Sequence, residues 1–120
     1  MNWLNDCAYF LGGAFLANGV PHFVSGVTGR SFQTPFAKPP ITGLSSSTVN
    51  VLWGFLNFVI AYGLLTRVGL FNIRSIEDAL VLGVGVLLSG LTLARLFGRY
   101  HGGNAPSKRS THYGAPGQSR

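Results

Sequence analysis

The residues in this chain able to do chemistry lie inside apolar stretches. They are one histidine, His22, two asparagines, Asn18 and Asn57, an indole, Trp53, and two hydroxyls, Ser89 and Thr92. A neutral imidazole can hold a metal, a proton or a quinone carbonyl, and amide or hydroxyl neighbours can orient it. Asn18 and His22 are four residues apart, so they share one helix face. The enzyme classes are poorly served. None of the apolar stretches contains Asp or Glu, so a carboxylate dyad or a carboxylate–histidine pair is not expected at depth. A single intramembrane histidine does not supply bis-histidine haem ligation within one chain. No phosphate loop, zinc spacing or nucleophile elbow occurs, and Gly83-Val84-Gly85 sits within an apolar run rather than at a strand–helix turn. No catalytic residue, metal or cofactor is therefore assigned, and an enzyme is the less favoured class. The competing reading of the polar residues is that they only pack helices together, as such residues commonly do in membrane bundles.

The elements that would position these residues follow from charge. Of 120 residues, 9 are Lys or Arg and 3 are Asp or Glu, a net charge of +6. Charged residues make up 10% of the chain, against roughly 25% in an ordinary soluble domain. This excludes a disordered chain, a disulfide scaffold and a typical soluble enzyme, and leaves one all-α domain in a membrane. Cys7 to Gly29 is a charge-free run of 23 residues. At 1.5 Å per residue it reaches about 34 Å, enough for a hydrocarbon core of about 30 Å. A second apolar run begins at Val49 and a third at Ala79, which Arg95 does not end because arginine snorkels from helix ends. The expectation is a three-helix transmembrane bundle with spans at about 7–29, 48–66 and 76–97. Residues 98–120 form a disordered basic tail. Ser45 to Thr48 offers caps to the second helix, and Ser75 caps the third ahead of Glu77 and Asp78. No positive side chain precedes the first apolar run, so it reads as a span and not a signal peptide. The single cysteine, Cys7, reads as a buried free thiol.

Depth can be estimated from span midpoints. Asn18, Asn57 and the neighbourhood of Ser89 fall near one midplane layer. One turn toward the cytoplasm comes an inner layer of His22, Trp53, Gly54 and Thr92. Gly12, Gly19 and Gly26 recur every seven residues and form a smooth stripe for another helix. Gly85 with Ser89, and Gly90 with Ala94, are small-residue pairs of the same kind. Pro21 removes a backbone donor near Ala17, which predicts a kink and a freed carbonyl; Asn18 or His22 either satisfies that carbonyl or faces a small cavity. His22 thus has two readings: a packing histidine filling space beside Gly54, or a ligand contact walled by Trp53 and Phe23. The structural reading is favoured, although an ionisable residue inside a membrane defaults to function.

Charge also sets orientation. Arg30, Lys38, Arg95 and Arg99 flank the spans on one side, Arg67 and Arg74 on the other, together with Asp6, Glu77 and Asp78. The positive-inside rule then places the N-terminus outside and the C-terminus in the cytoplasm. The basic tail can meet anionic lipid, and no specific nucleic-acid recognition is expected. Residues 30–48 make a long link containing Phe32 and Phe36. They either fold over the cytoplasmic mouth toward His22 or rest in the headgroups.

The run Asn18-Gly-Val-Pro-His22-Phe23, with Gly26, Gly29, Phe32, Pro35-Phe36 and Asn50-Val-Leu-Trp53-Gly54, resembles small uncharacterised multi-pass bacterial inner-membrane proteins. The resemblance covers about the first half of the chain and implies a bacterial plasma membrane, without implying an activity. With the lipid bilayer as solvent, the expected role is an accessory or structural component that oligomerises or joins a larger membrane complex. The alternative is a ligand-binding protein, with a quinone, lipid or small-solute site around His22, or a transporter subunit.

Overall fold

The computed structural model describes residues 2–105 and is mostly helical. Helix α1 runs Trp3–Val27, α2 Ser47–Thr66 and α3 Ile76–His101, and a two-stranded antiparallel ribbon, β1 (Phe32–Gln33) and β2 (Leu44–Ser45), lies between α1 and α2. Each helix starts on a side-chain cap that accepts from an otherwise orphan amide. Asn2 accepts from Leu4 N, Ser46 from Val49 N and Ser75 from Asp78 N. Helix α1 begins four residues before the expected span because a charge gap marks the hydrocarbon core, whereas a helix can extend past it. Asp6 in its first turn complements the helix dipole.

Helices α2 and α3 are each long and apolar enough to cross a membrane. Their outward faces carry Leu52, Phe55, Leu80, Leu87 and Leu91, all exposed. Helix α1 is less apolar, and its position explains why. It packs against both α2 and α3, whereas those two make almost no contact with each other. The arrangement is therefore a central helix with a partner on either side, not a mutually packed trio. The central helix holds the polar and small residues: Gly12, Gly13, Gly19, His22 and Gly26 are buried along it.

Two expectations are corrected. Helix α3 continues through residues 98–101, so the basic segment is helical there. Gly102 ends it in the left-handed region (φ 77°), and Asn104 folds back to donate to Arg95 O at 2.9 Å. The rest of the expected tail, 106–120, lies outside the described residues. Cys7 is exposed rather than buried, because it lies off the α1 faces that carry the glycine contacts. Helix α1 runs unbroken through Pro21; of the two outcomes expected there, Asn18 and His22 bond to α2 rather than to the Ala17 carbonyl, and both line a small cavity.

Candidate functional site

Helix α2 turns Asn50, Gly54, Asn57 and Ala61 inward, a spacing of four, three and four that keeps one helix face. Against it lies the α1 stripe. A Cβ on Gly12 would meet Leu65, one on Gly19 would meet Phe58 and the Gly54 carbonyl, and one on Gly26 would meet Val51 and the Ser47 carbonyl. All three glycines of the heptad stripe thus face α2, and their missing side chains let the two backbones approach. Gly54 reciprocates, but against Phe23 N and Gly19 O. The space there is filled by the α1 backbone rather than by the imidazole of His22.

Close approach brings the polar side chains within bonding distance. Asn18 Nδ2 donates to Asn57 Oδ1 at 2.8 Å, and Asn57 Nδ2 donates to Trp53 O at 2.7 Å. One turn away, His22 Nδ1 lies 2.9 Å from Asn50 Oδ1. Asn50 is completely buried and His22 is 3% exposed. Asn50 was not singled out as a site residue from the sequence, yet it organises this end of the molecule. Its amide nitrogen faces the carbonyls of Ser46 (3.0 Å), Phe32 (3.2 Å) and Ser45 (3.2 Å). It therefore ties α2 to both strands of the ribbon.

These contacts fix protonation on the imidazole. An amide NH2 group must face carbonyls, so Oδ1 of Asn50 must face His22. An amide oxygen only accepts. Nδ1 of His22 is therefore the protonated nitrogen, donating to Asn50, and Nε2 of the neutral ring carries a free lone pair. Nε2 has no hydrogen-bond partner among the described residues.

The ribbon closes over the histidine. Phe32 meets the His22 ring edge-on at 5.4 Å, Phe97 of α3 does so at 5.9 Å, and Trp53 at 6.3 Å. Phe36 packs edge-on against Trp53 at 5.1 Å. The link between α1 and α2 thus folds over the His22 layer. From the far side, His101 at the end of α3 stacks on Phe32 and its Nε2 reaches Gln33 Oε1 at 2.9 Å. Thr34 and Ser45 bond hydroxyl to hydroxyl across the ribbon. Beneath this cover is a chamber of about 110 Å³, walled in part by His22, Trp53, Asn18, Thr34 and Phe97.

One polar atom in this region stands out. Trp53 Nε1 is buried and is the only such side-chain donor without a partner among the described residues. An unmet buried donor costs about 1–3 kcal/mol, and this one is closed off from the chamber as well as from the neighbouring side chains.

The remaining candidates stand apart. Thr92 donates to Leu88 O of its own helix at 2.8 Å and does not reach His22. Ser89 and Thr92 line a separate groove of about 320 Å³ with Asn18. The expected midplane trio is thus a pair, Asn18 and Asn57, with Ser89 across a gap. Gly85 meets the Phe10 carbonyl and packs α3 on α1, as does Gly13 against Leu82 and Val86. Gly90, expected at a helix contact, has open space where a Cβ would stand, because α3 has diverged from α1 at that level. No group of three His, Cys, Asp or Glu side chains converges among the described residues. No family model, curated protein or solved structure matches this chain.

Proposed function

We propose that this is a small three-span protein of the bacterial inner membrane, N-terminus outside and C-terminus in the cytoplasm. In this reading it works as an accessory or structural component, joined to further copies of itself or to a larger complex. The observation that carries the reading is the exposure of α3. Across its 26 residues only Gly85 and Gly98 are buried, while Leu80 is 62% and Leu87 60% exposed. Such a surface needs lipid or another protein against it.

Packing supports the third span. Helix α1 lies antiparallel to α2 from Gly12, opposite Leu65, to Gly26, opposite Val51. A helix paired along its length with a membrane-crossing helix crosses with it, and its interior position accommodates Asn18 and His22. The orientation rests on the basic residues around the ribbon end, Arg30, Lys38, Arg95 and Arg99. The resemblance to small inner-membrane proteins supports the compartment. A second reading, a ligand-binding protein, is favoured by the chamber of about 110 Å³ against the ring of His22.

Native mass measurement of the full chain in mild detergent tests the assembly reading. The expected result is an oligomer, or the chain with a stoichiometric protein partner. A monomer carrying no partner would contradict it.

A further inference from the structure

We propose that the pocket between the first turns of α1 and α3 and the link 67–75 binds a small organic amine through its ammonium group. This site lies at the end of the molecule away from the ribbon. It goes beyond the proposed function and does not rest on the assembly reading. The chain has three carboxylates, and all three line this one pocket of about 370 Å³: Asp6 from α1, and Glu77 and Asp78 from α3. No Lys or Arg lines it, although Arg67 and Arg74 bracket the link. Each acid sits in the first turn of its helix, where the dipole favours it. The dipole accounts for an acid at each helix start. It does not require two helices to bring every acid of a chain of charge +6 to one cavity.

Tyr9 points to a ligand independently. It is only 3% exposed, and Phe71 of the link packs edge-on against its ring at 5.1 Å. Its hydroxyl makes no hydrogen bond among the described residues, yet it is not closed off as Trp53 Nε1 is, so it opens into the pocket it lines. Gly69 keeps it open. The backbone does not need glycine there, since its φ is not positive. A Cβ at that point would meet the Tyr9 hydroxyl and stand 2.6 Å from Asn5 Nδ2. Carboxylates only accept, and an ammonium group only donates, with three N–H bonds to place. Asp78 commits one oxygen to Asn72 N at 2.9 Å and keeps the other. The three carboxylates do not close on one point, since no three such side chains converge among the described residues, so a bare metal ion is the poorer fit. The volume is at the lower end of the ~300–1,000 Å³ of small-molecule sites and suits a short amine. A cleft lined by one sign of charge also raises the local concentration of such a cation.

The test uses the full chain in dodecyl maltoside micelles at low salt, with putrescine and its permethylated bis-quaternary analogue as probes. Both carry two positive charges on the same four-carbon spacer, and only putrescine has N–H donors. Equilibrium dialysis against empty micelles reads protein-dependent binding. Saturable binding of one putrescine per chain is expected, with the analogue about tenfold weaker for want of charge-assisted hydrogen bonds. Asp6→Asn removes a half-buried charge at constant shape and is expected to weaken putrescine about tenfold. Glu77→Gln, at an exposed and therefore screened side chain, is expected to weaken it about threefold. Tyr9→Phe, which keeps the ring, is expected to do the same. No binding above empty micelles, equal binding of the two probes, or unchanged affinity in Asp6→Asn would overturn the assignment. So would unchanged affinity in a well-folded Tyr9→Phe variant; if that variant does not fold, the two probes on the unaltered chain decide. Micelles doped with phosphatidylethanolamine or phosphatidylcholine distinguish the source of the amine. Competition by the ethanolamine lipid alone assigns the ammonium to a headgroup, and equal putrescine binding in both assigns it to a soluble amine. The native mass of the chain bears on the assembly reading and leaves this site untouched.

Discussion

The two seams of α1 are built differently. Toward α2 the contact is continuous: a heptad of glycines, an Asn–Asn pair and a His–Asn pair follow one another over the helix length. Toward α3 the contact is tight at one end only, where Gly13 and Gly85 let backbones touch. Beyond it the helices part around two grooves and meet again through the aromatic rings of Phe32, Phe97 and His101. The first seam is closed by close backbone approach and polar bonds between buried side chains. The second is closed by side-chain packing over cavities, and those cavities are where a ligand or another helix can sit. The difference shows how three helices can hold their shape on one side and keep space on the other.

Substitutions on the two seams should therefore differ in cost. The largest effect is expected at Gly54→Val, whose Cβ would stand 2.6 Å from Phe23 N with no flexible side chain to give way. Overpacking of that kind costs about 3 kcal/mol, read as lowered thermal stability in detergent. A neutral result would show that the α1–α2 seam is loose.

Asn50→Ala comes next, at about 2 kcal/mol, because it strands His22 Nδ1–H and the carbonyls of Phe32 and Ser45 together. Faster hydrogen exchange should appear across residues 32–45 in the same variant. Unchanged exchange there would contradict the assignment of Asn50 as the tie between helix and ribbon.

A double-mutant cycle on Asn18→Ala and Asn57→Ala should give a coupling of about 0.6 kcal/mol, with ~1.7 as the ceiling seen for such membrane pairs. Additive effects would mean that the bond contributes nothing. Smallest of all, Gly90→Ala on the open seam should change stability by less than about 0.5 kcal/mol. A marked loss would place a helix or partner against that face.

Much of this division was readable in the residues, and the failures have physical causes. The helices follow from charge gaps and from the caps at Ser46 and Ser75, which are local signals. The Asn18–Asn57 pair follows from midpoint arithmetic, since two antiparallel spans of similar length align at their centres. The partner of His22 did not follow. The same arithmetic points to the level of Trp53 and Gly54, whereas the bond is made by Asn50, one turn nearer the start of α2. The signal was present: Asn50 and Asn57 are seven apart and so share a face with Gly54 between them. Ser89 and Thr92 line a groove together with Asn18, as their depth implies, but depth alone does not show that a gap separates them from it or that Gly90 faces open space. The paired strands Phe32–Gln33 and Leu44–Ser45 also escaped the pattern, since two residues per strand are too few to show alternation.

The central claim is that α1, though less apolar than its neighbours, spans the membrane between them. Paired topology reporters test it most directly, placed at the N-terminus, after Thr42, after Asn72 and at the C-terminus of the full chain. The N-terminus and Asn72 are expected outside, and Thr42 and the C-terminus in the cytoplasm. An N-terminus found on the same side as Thr42 would contradict it.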